Sequence, residues 1–288
     1  MQAPFCKDCF TGTRPEDVEI HGTEEKIHGF KTYVARPSNS STSNPASPKN
    51  VIVYIPDAFG WATKHARILA DSYATRVNCL VYLPDFMAGT PLSESFLETK
   101  DTSLSFFSKI LKFLRLGPAL LFFFLRNNRG ASHPRILAFL RAIRPEFDKV
   151  GVAGFCWGGM HSILVTHDVD QNKLDGKFLV DCAFSAHPGM LSFPKDIEAV
   201  KQPLSVANGD DDEYMGRENM GTLIRILEAK GAEVGQEGNY EVIVYPGAKH
   251  GFAVRGDYSD PKQRQQRDAS EDQAGVWFQK WFGSQQAC

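Results

Sequence analysis

Gly154-Phe155-Cys156-Trp157-Gly158-Gly159 is the stretch on which the reading of this chain turns. Val150 to Ala153, just before it, is an apolar run of the length of a buried strand, and Met160 to His167, just after it, reads as a helix. A strand that turns sharply into a helix carries its apex residue in a strained backbone conformation with the side chain presented outward. The positions two before and two after the apex must be small, because strand and helix pass close there. Gly154 and Gly158 meet that demand around Cys156, so the stretch reads as a nucleophile elbow whose nucleophile is a thiol.

Outward from the elbow, other apolar runs fall at regular intervals. Val18 to Gly22 and Phe30 to Arg36 read as an opening pair of short strands. Val51 to Ile55 and Cys79 to Leu83, each closed by a proline, read as strands buried on both faces. Phe178 to Phe184, Leu204 to Ala207 and Val242 to Tyr245 complete the set. Helices are expected between them, from Ala62 to Val77, around Met220, Leu223, Ile224 and Leu227, and around Ala274, Trp277, Phe278, Trp281 and Phe282. Strands alternating with helices predict one α/β domain over residues 1–288, with a mainly parallel sheet and helices on both faces. Pro37 to Lys49, rich in Ser, Asn and Pro, reads as a flexible loop.

One segment breaks the alternation. Between Leu83 and Val150 lie about sixty residues, far more than a crossover needs. Helices are expected at Ser103 to Leu116, Pro118 to Arg126 and Pro134 to Arg144, with both prolines in first turns. The run from Phe106 to Leu125 is too apolar for a surface connection. It reads as a helical insertion over about 93–145 that packs on the core, forms a cap over a substrate cleft, or offers an interface to a membrane or a second copy.

Composition bounds the function. The formal charge is −2 over 288 residues, with 42% hydrophobic and 23% charged residues, an ordinary balance that gives no basic field for nucleic acid. The first twenty residues carry no apolar core of a signal peptide, and no apolar run reaches the ~20 residues of a membrane span. The six cysteines are therefore expected as free thiols in a reducing, cytoplasmic setting, with Cys6-Lys7-Asp8-Cys9 an unremarkable surface pair. No Gly-rich phosphate loop and no His/Glu metal spacing is present, so neither cofactor nor metal is expected.

The elbow resembles that of α/β-hydrolases, in which the acid and the histidine follow the nucleophile in chain order. Asn208-Gly209-Asp210-Asp211-Asp212-Glu213 follows a predicted strand and supplies the acid, with Asp212 the first choice, Asp211 the second and Asp210 open. Pro246-Gly247-Ala248-Lys249-His250-Gly251-Phe252 follows the last predicted strand and supplies the base, His250. His187 could line the pocket but precedes the acid and breaks the order, whereas His65, His133, His161 and His167 read as helix-packing or helix-surface residues. The N–H of Trp157 and that of Ala58, in Asp57-Ala58-Phe59-Gly60, are the expected oxyanion donors.

These segments together resemble the dienelactone hydrolase family, from about residue 28 to the C-terminus except for the insertion. The opening Cys-x-x-Cys-x-x-Gly and Asp57-Ala58-Phe59-Gly60-Trp61 are similar to fungal members, several of which accompany secondary-metabolite pathways and act on polyketide-derived esters, lactones or thioesters. The resemblance implies Cys156 as nucleophile, Asp212 as acid and His250 as base. Two departures stand out. Asp57 takes the place of a glutamate that holds the resting cysteine, and Pro84-Asp85-Phe86-Met87 lacks the family's carboxylate-binding arginine, although Arg255 resembles a second one displaced by a residue. Asp57, Phe59, Phe86, His187 and Arg255 are thus the candidates for substrate contact. The expected partners are a bulky, apolar acyl substrate and, from the resemblance, a polyketide synthase or its product, and a homodimer stays open. The alternatives are a binding protein for a pathway intermediate that keeps the pocket without the chemistry, and an acyl transferase or cyclase built on the same elbow.

Overall fold

The computed structural model describes residues 18–37, 49–94, 106–257 and 259–283, and of residues 106–115 the backbone. Eight strands form one sheet in the order β1-β2-β4-β3-β5-β8-β9-β10. They are β1 (Thr23–Ile27), β2 (Phe30–Ala35), β3 (Asn50–Ile55), β4 (Leu80–Pro84), β5 (Lys149–Phe155), β8 (Cys182–Ala186), β9 (Leu204–Gly209) and β10 (Tyr240–Tyr245). All neighbours from β4 to β10 pair in parallel, and β1 and β2 are antiparallel at one edge. The small pair β6 (Lys173–Leu174) and β7 (Lys177–Phe178) lies outside this sheet.

Side-chain alternation splits the central strands between two cores. Ile52 and Tyr54 of β3, with Ala153 and Phe155 of β5, join the layer of α1 (Lys64–Val77) and α8 (Pro261–Phe282). Val51, Val53 and Ile55, with Val150 and Val152, face α3 (Arg129–Ile143) and the Trp157 end of α4 (Trp157–Leu164). On that second side, α6 (Gly216–Gly231) covers β9 and β10 through Leu223 and Leu227. A strand buried on both faces needs apolar residues at every position, which is why these runs do not alternate with polar ones.

Three expectations are corrected. The first strand is Thr23–Ile27, a charged and largely exposed edge, so hydrophobicity did not mark it, and Val18 to Gly22 is not a strand. It turns into β2 through His28 and Gly29, both at positive φ. Phe178 to Phe184 is two strands, because the Asp181 carboxylate between them accepts from the Val150 N–H at 2.8 Å and pairs with Arg144. The insertion holds α2 (Phe106–Asn127) as one helix running through Pro118, and α3, begun by Asn128 as N-cap, runs through Pro134. Proline removes one hydrogen bond from a helix. Packing of Leu116, Leu120, Phe123 and Phe124 against the core carries α2 past that gap. The Cys6/Cys9 pair, the tip of the 37–49 loop and Ser103 lie outside the described residues.

Candidate active site

Cys156 sits between β5 and α4 with φ 53° and ψ −110°, a backbone conformation that a side-chain-bearing residue adopts only under constraint. The constraint comes from both sides. The Cys156 N–H donates to the Ala186 carbonyl at 3.2 Å, and the Gly158 N–H donates to that of Pro56 at 3.1 Å. A Cβ on Gly154 would stand 2.2 Å from the Gly158 carbonyl oxygen, and one on Gly158 would stand 2.0 Å from that of Ile55. The spacing of small residues around the apex is therefore a steric requirement. Gly159, whose added Cβ would meet the Pro188 Cα at 2.9 Å, is a third close approach that the motif alone did not reveal.

The loops of residues 208–213 and 246–252 are joined in the same way. The Asp211 N–H donates to the Ala248 carbonyl at 3.2 Å, and a Cβ on Gly209 would lie 1.9 Å from that oxygen. This contact brings Asp212 and His250 together, with His250 Nδ1 3.0 Å from Asp212 Oδ2. The Tyr214 N–H donates to Asp212 Oδ1 at 2.8 Å and fixes the carboxylate. Asp210 and Asp211 are exposed, whereas Asp212 is 4% exposed, so burial distinguishes three residues that look alike in sequence.

His250 is also buried, and burial by itself would push its pKa down. The charges of Cys156 and Asp212 outweigh that effect and hold the imidazole well above its ordinary value. The same burial, with no such partner, raises the thiols of Cys79 and Cys182. Of the three described cysteines, only Cys156 stands beside an imidazole that carries a proton readily.

The expected oxyanion donors lie on the two loops that meet at the elbow. The Trp157 N–H opens α4, where a helix leaves its first N–H groups without acceptors within the helix. Ala58 follows β3 in a turn closed by the Gly60 N–H to the Asp57 carbonyl at 3.0 Å. The Gly158–Pro56 hydrogen bond draws these two segments together.

The residues proposed for substrate contact divide. Asp57, Phe59 and Arg255 form one cluster. Arg255 Nε donates to Asp57 Oδ2 at 2.8 Å, the guanidinium lies 5.1 Å from the centre of the Phe59 ring, and the Phe59 N–H takes the other Asp57 oxygen at 3.0 Å. Both oxygens of Asp57 are thus engaged within the protein, and the charge of Arg255 is neutralised beside them. Phe86 is fully buried, edge-on to Phe30 and Phe139, and its place is in the core. His187 is fully buried with its ring 5.0 Å from that of His250, and burial, with the charges of His250 and Arg255, keeps it neutral. Tyr214, 5.1 Å from the His250 ring, is a neighbour that sequence reasoning missed. Its one signal is its place two residues after the acid, where an aspartate side chain commonly caps the backbone. Behind the elbow, His161 and His133 stack on each other, as helix-packing residues.

A parallel sheet flanked by helices, with Cys156, Asp212 and His250 on loops at the carboxyl ends of β5, β9 and β10, is the α/β-hydrolase fold. The family model described as "Dienelactone hydrolase family" matches residues 30–282, and the chain belongs to that family. It is 26% identical over 281 residues to the hydrolase pyvD of Aspergillus violaceofuscus, covering 95% of this chain and 96% of that one. It is 27% identical over 236 residues to the carboxymethylenebutenolidase homolog of Mus musculus, covering 81% and 80%. The dienelactone hydrolase of Anabaena variabilis shares the fold at a TM-score of 0.55 and 14% identity, over 91% of this chain and 98% of that one. The protein is a hydrolase of the dienelactone hydrolase type.

Proposed function

We propose that this protein hydrolyses an ester, lactone or thioester through a covalent acyl-Cys156 intermediate, with Asp212 and His250 completing a triad. The observation that carries this reading is the buried His250, held at Nδ1 by Asp212 and pushed towards its protonated form by the charges of Cys156, at a strained elbow, and of Asp212. The resting pair is then thiolate and imidazolium. The sulfur attacks the acyl carbon, and the tetrahedral oxyanion accepts from the N–H groups of Trp157 and Ala58. The oxyanion collapses, the bond to the leaving oxygen or sulfur breaks, and His250 gives that atom its proton. Water then attacks the thioester and loses a proton to the now neutral His250. The free acid departs as the thiolate and imidazolium are restored. Throughout, Asp212 orients the ring and stabilises its charge.

The substrate we propose is an apolar acyl compound of the polyketide kind, larger than a dienelactone. Support comes from Arg255, whose charge is already met by Asp57, and from Phe123 and Phe124 on the core-facing side of α2, which join the apolar cluster that holds Cys156. The elbow and α2 are in contact, since Trp157 Nε1 donates to the Asn127 carbonyl at 2.9 Å. The test is intact-mass detection after mixing with acyl thioesters and lactones of rising size. An acyl adduct on Cys156 is expected, together with loss of both adduct and turnover in Cys156→Ala. Full turnover by that variant would overturn the reading.

A further inference from the structure

Helix α2 is apolar on two sides. Leu116, Leu120, Phe123 and Phe124 pack against the core, yet Leu121, Phe122 and Leu125, within little more than one turn, are 62%, 54% and 66% exposed. Elsewhere among the described residues, the large hydrophobics that stand exposed are single valines and isoleucines, so every exposed Leu or Phe of this group lies on α2. Scattered apolar residues on a surface need no explanation, but three bulky ones gathered on one helix mark a contact face.

The charge around the face says what it contacts. Between Asp101 and Glu146 the sequence has eight Lys and Arg and no Asp or Glu, although the whole chain is −2. Two of the eight, Arg115 and Arg126, stand on α2 seven positions before and four after Phe122, on the same side of the helix. The Arg126 guanidinium lies over the Phe122 ring at 5.9 Å, which places a cation at the rim of the apolar patch. Arg129, the first residue of α3, pairs with Asp196 and is still 45% exposed. No described helix is long and apolar enough to cross a membrane. A helix with a bulky apolar face, a basic rim and no spanning length lies in the plane of a lipid surface.

We infer that the outward face of α2 seats on an anionic membrane surface, with Leu121, Phe122 and Leu125 entering the boundary between headgroups and chains and the basic rim meeting the anionic headgroups. A second copy of the chain fits the face less well, since apposing two such helices sets cation against cation. This inference does not depend on the reaction proposed above, because it concerns residues outside the site.

Cosedimentation of the full chain with phosphatidylcholine vesicles, with and without phosphatidylserine, tests it. Binding about tenfold or more tighter to the phosphatidylserine vesicles is expected, falling as salt is raised. The combined change Leu121→Gln, Phe122→Gln and Leu125→Gln should abolish binding while thermal midpoint and turnover of a soluble ester stay unchanged. The pair Arg115→Glu and Arg126→Glu leaves the apolar residues in place and should remove the preference for phosphatidylserine, which serves if the triple variant fails to fold. Wild-type protein that stays in the supernatant, binds both vesicles equally, or forms a dimer broken by the triple variant without binding vesicles would overturn the inference.

Discussion

Cys156 is held at φ 53° by hydrogen bonds on either side, against a backbone cost of about 1–3 kcal/mol. Gly158→Ala should expose the tightness of that arrangement. Its Cβ meets the Ile55 carbonyl, a backbone atom that cannot swing aside, so a loss of about 3 kcal/mol or more is expected in denaturant unfolding. The acid is decided at the same scale. Asp212→Ala should lower kcat by about a hundredfold or more, and Asp211→Ala should leave it nearly unchanged. A reversed ranking in steady-state kinetics would reassign the role. The elbow and the order of its partners are legible in sequence because strand, turn and small-residue spacing are local. The choice among Asp210, Asp211 and Asp212 is not, because it rests on which carboxylate the 209–212 loop buries against His250.

The loop after β3 and the short helix α7 (Phe252–Arg255) meet through Asp57 and Arg255, 198 positions apart. Both side chains are almost fully buried, so Asp57→Ala would take the carboxylate away from a guanidinium inside the protein. A cost of about 3–5 kcal/mol is expected by chemical denaturation, partly recovered when Arg255→Met is added. Read in sequence, these two residues are a substituted glutamate and a displaced arginine, each a candidate for contact with substrate. Folded, they form a pair that ties the β3 loop to the histidine loop. In the insertion the two prolines suggest helix starts, but one continuous helix forms because its apolar side is paid for by burial. Sequence shows the prolines but not the tertiary contact that outweighs them.

Over the whole molecule, buried imidazoles set the response to pH. His133, lowered to about 4 by burial and the charge of Arg129, and the similarly lowered His161 and His187 are neutral when folded and take up protons when unfolded. Their contribution to stability is complete above the ordinary histidine pKa of ~6.5 and is lost as pH falls through their folded values, about 4 for His133. His250 has the opposite sign. Its raised pKa gives stability that is complete below ~6.5 and lost as pH rises through its folded value. Urea midpoints across pH should therefore decline on both sides of a plateau, and His133→Gln should soften the acid limb. An acid limb unchanged in that variant would show that other groups set it.

The sequence by itself determined the parallel α/β plan, the strained thiol elbow and the chain order of elbow, acidic loop and His250 loop, because periodicity and the need for glycine at a tight turn are properties of neighbouring residues. Only the tertiary structure decided which aspartate meets His250, that Asp57 and Arg255 consume each other, and that α2 turns a second apolar face outward. Those outcomes depend on burial and on charges brought together from distant parts of the chain, and neither is a property of any short stretch of it.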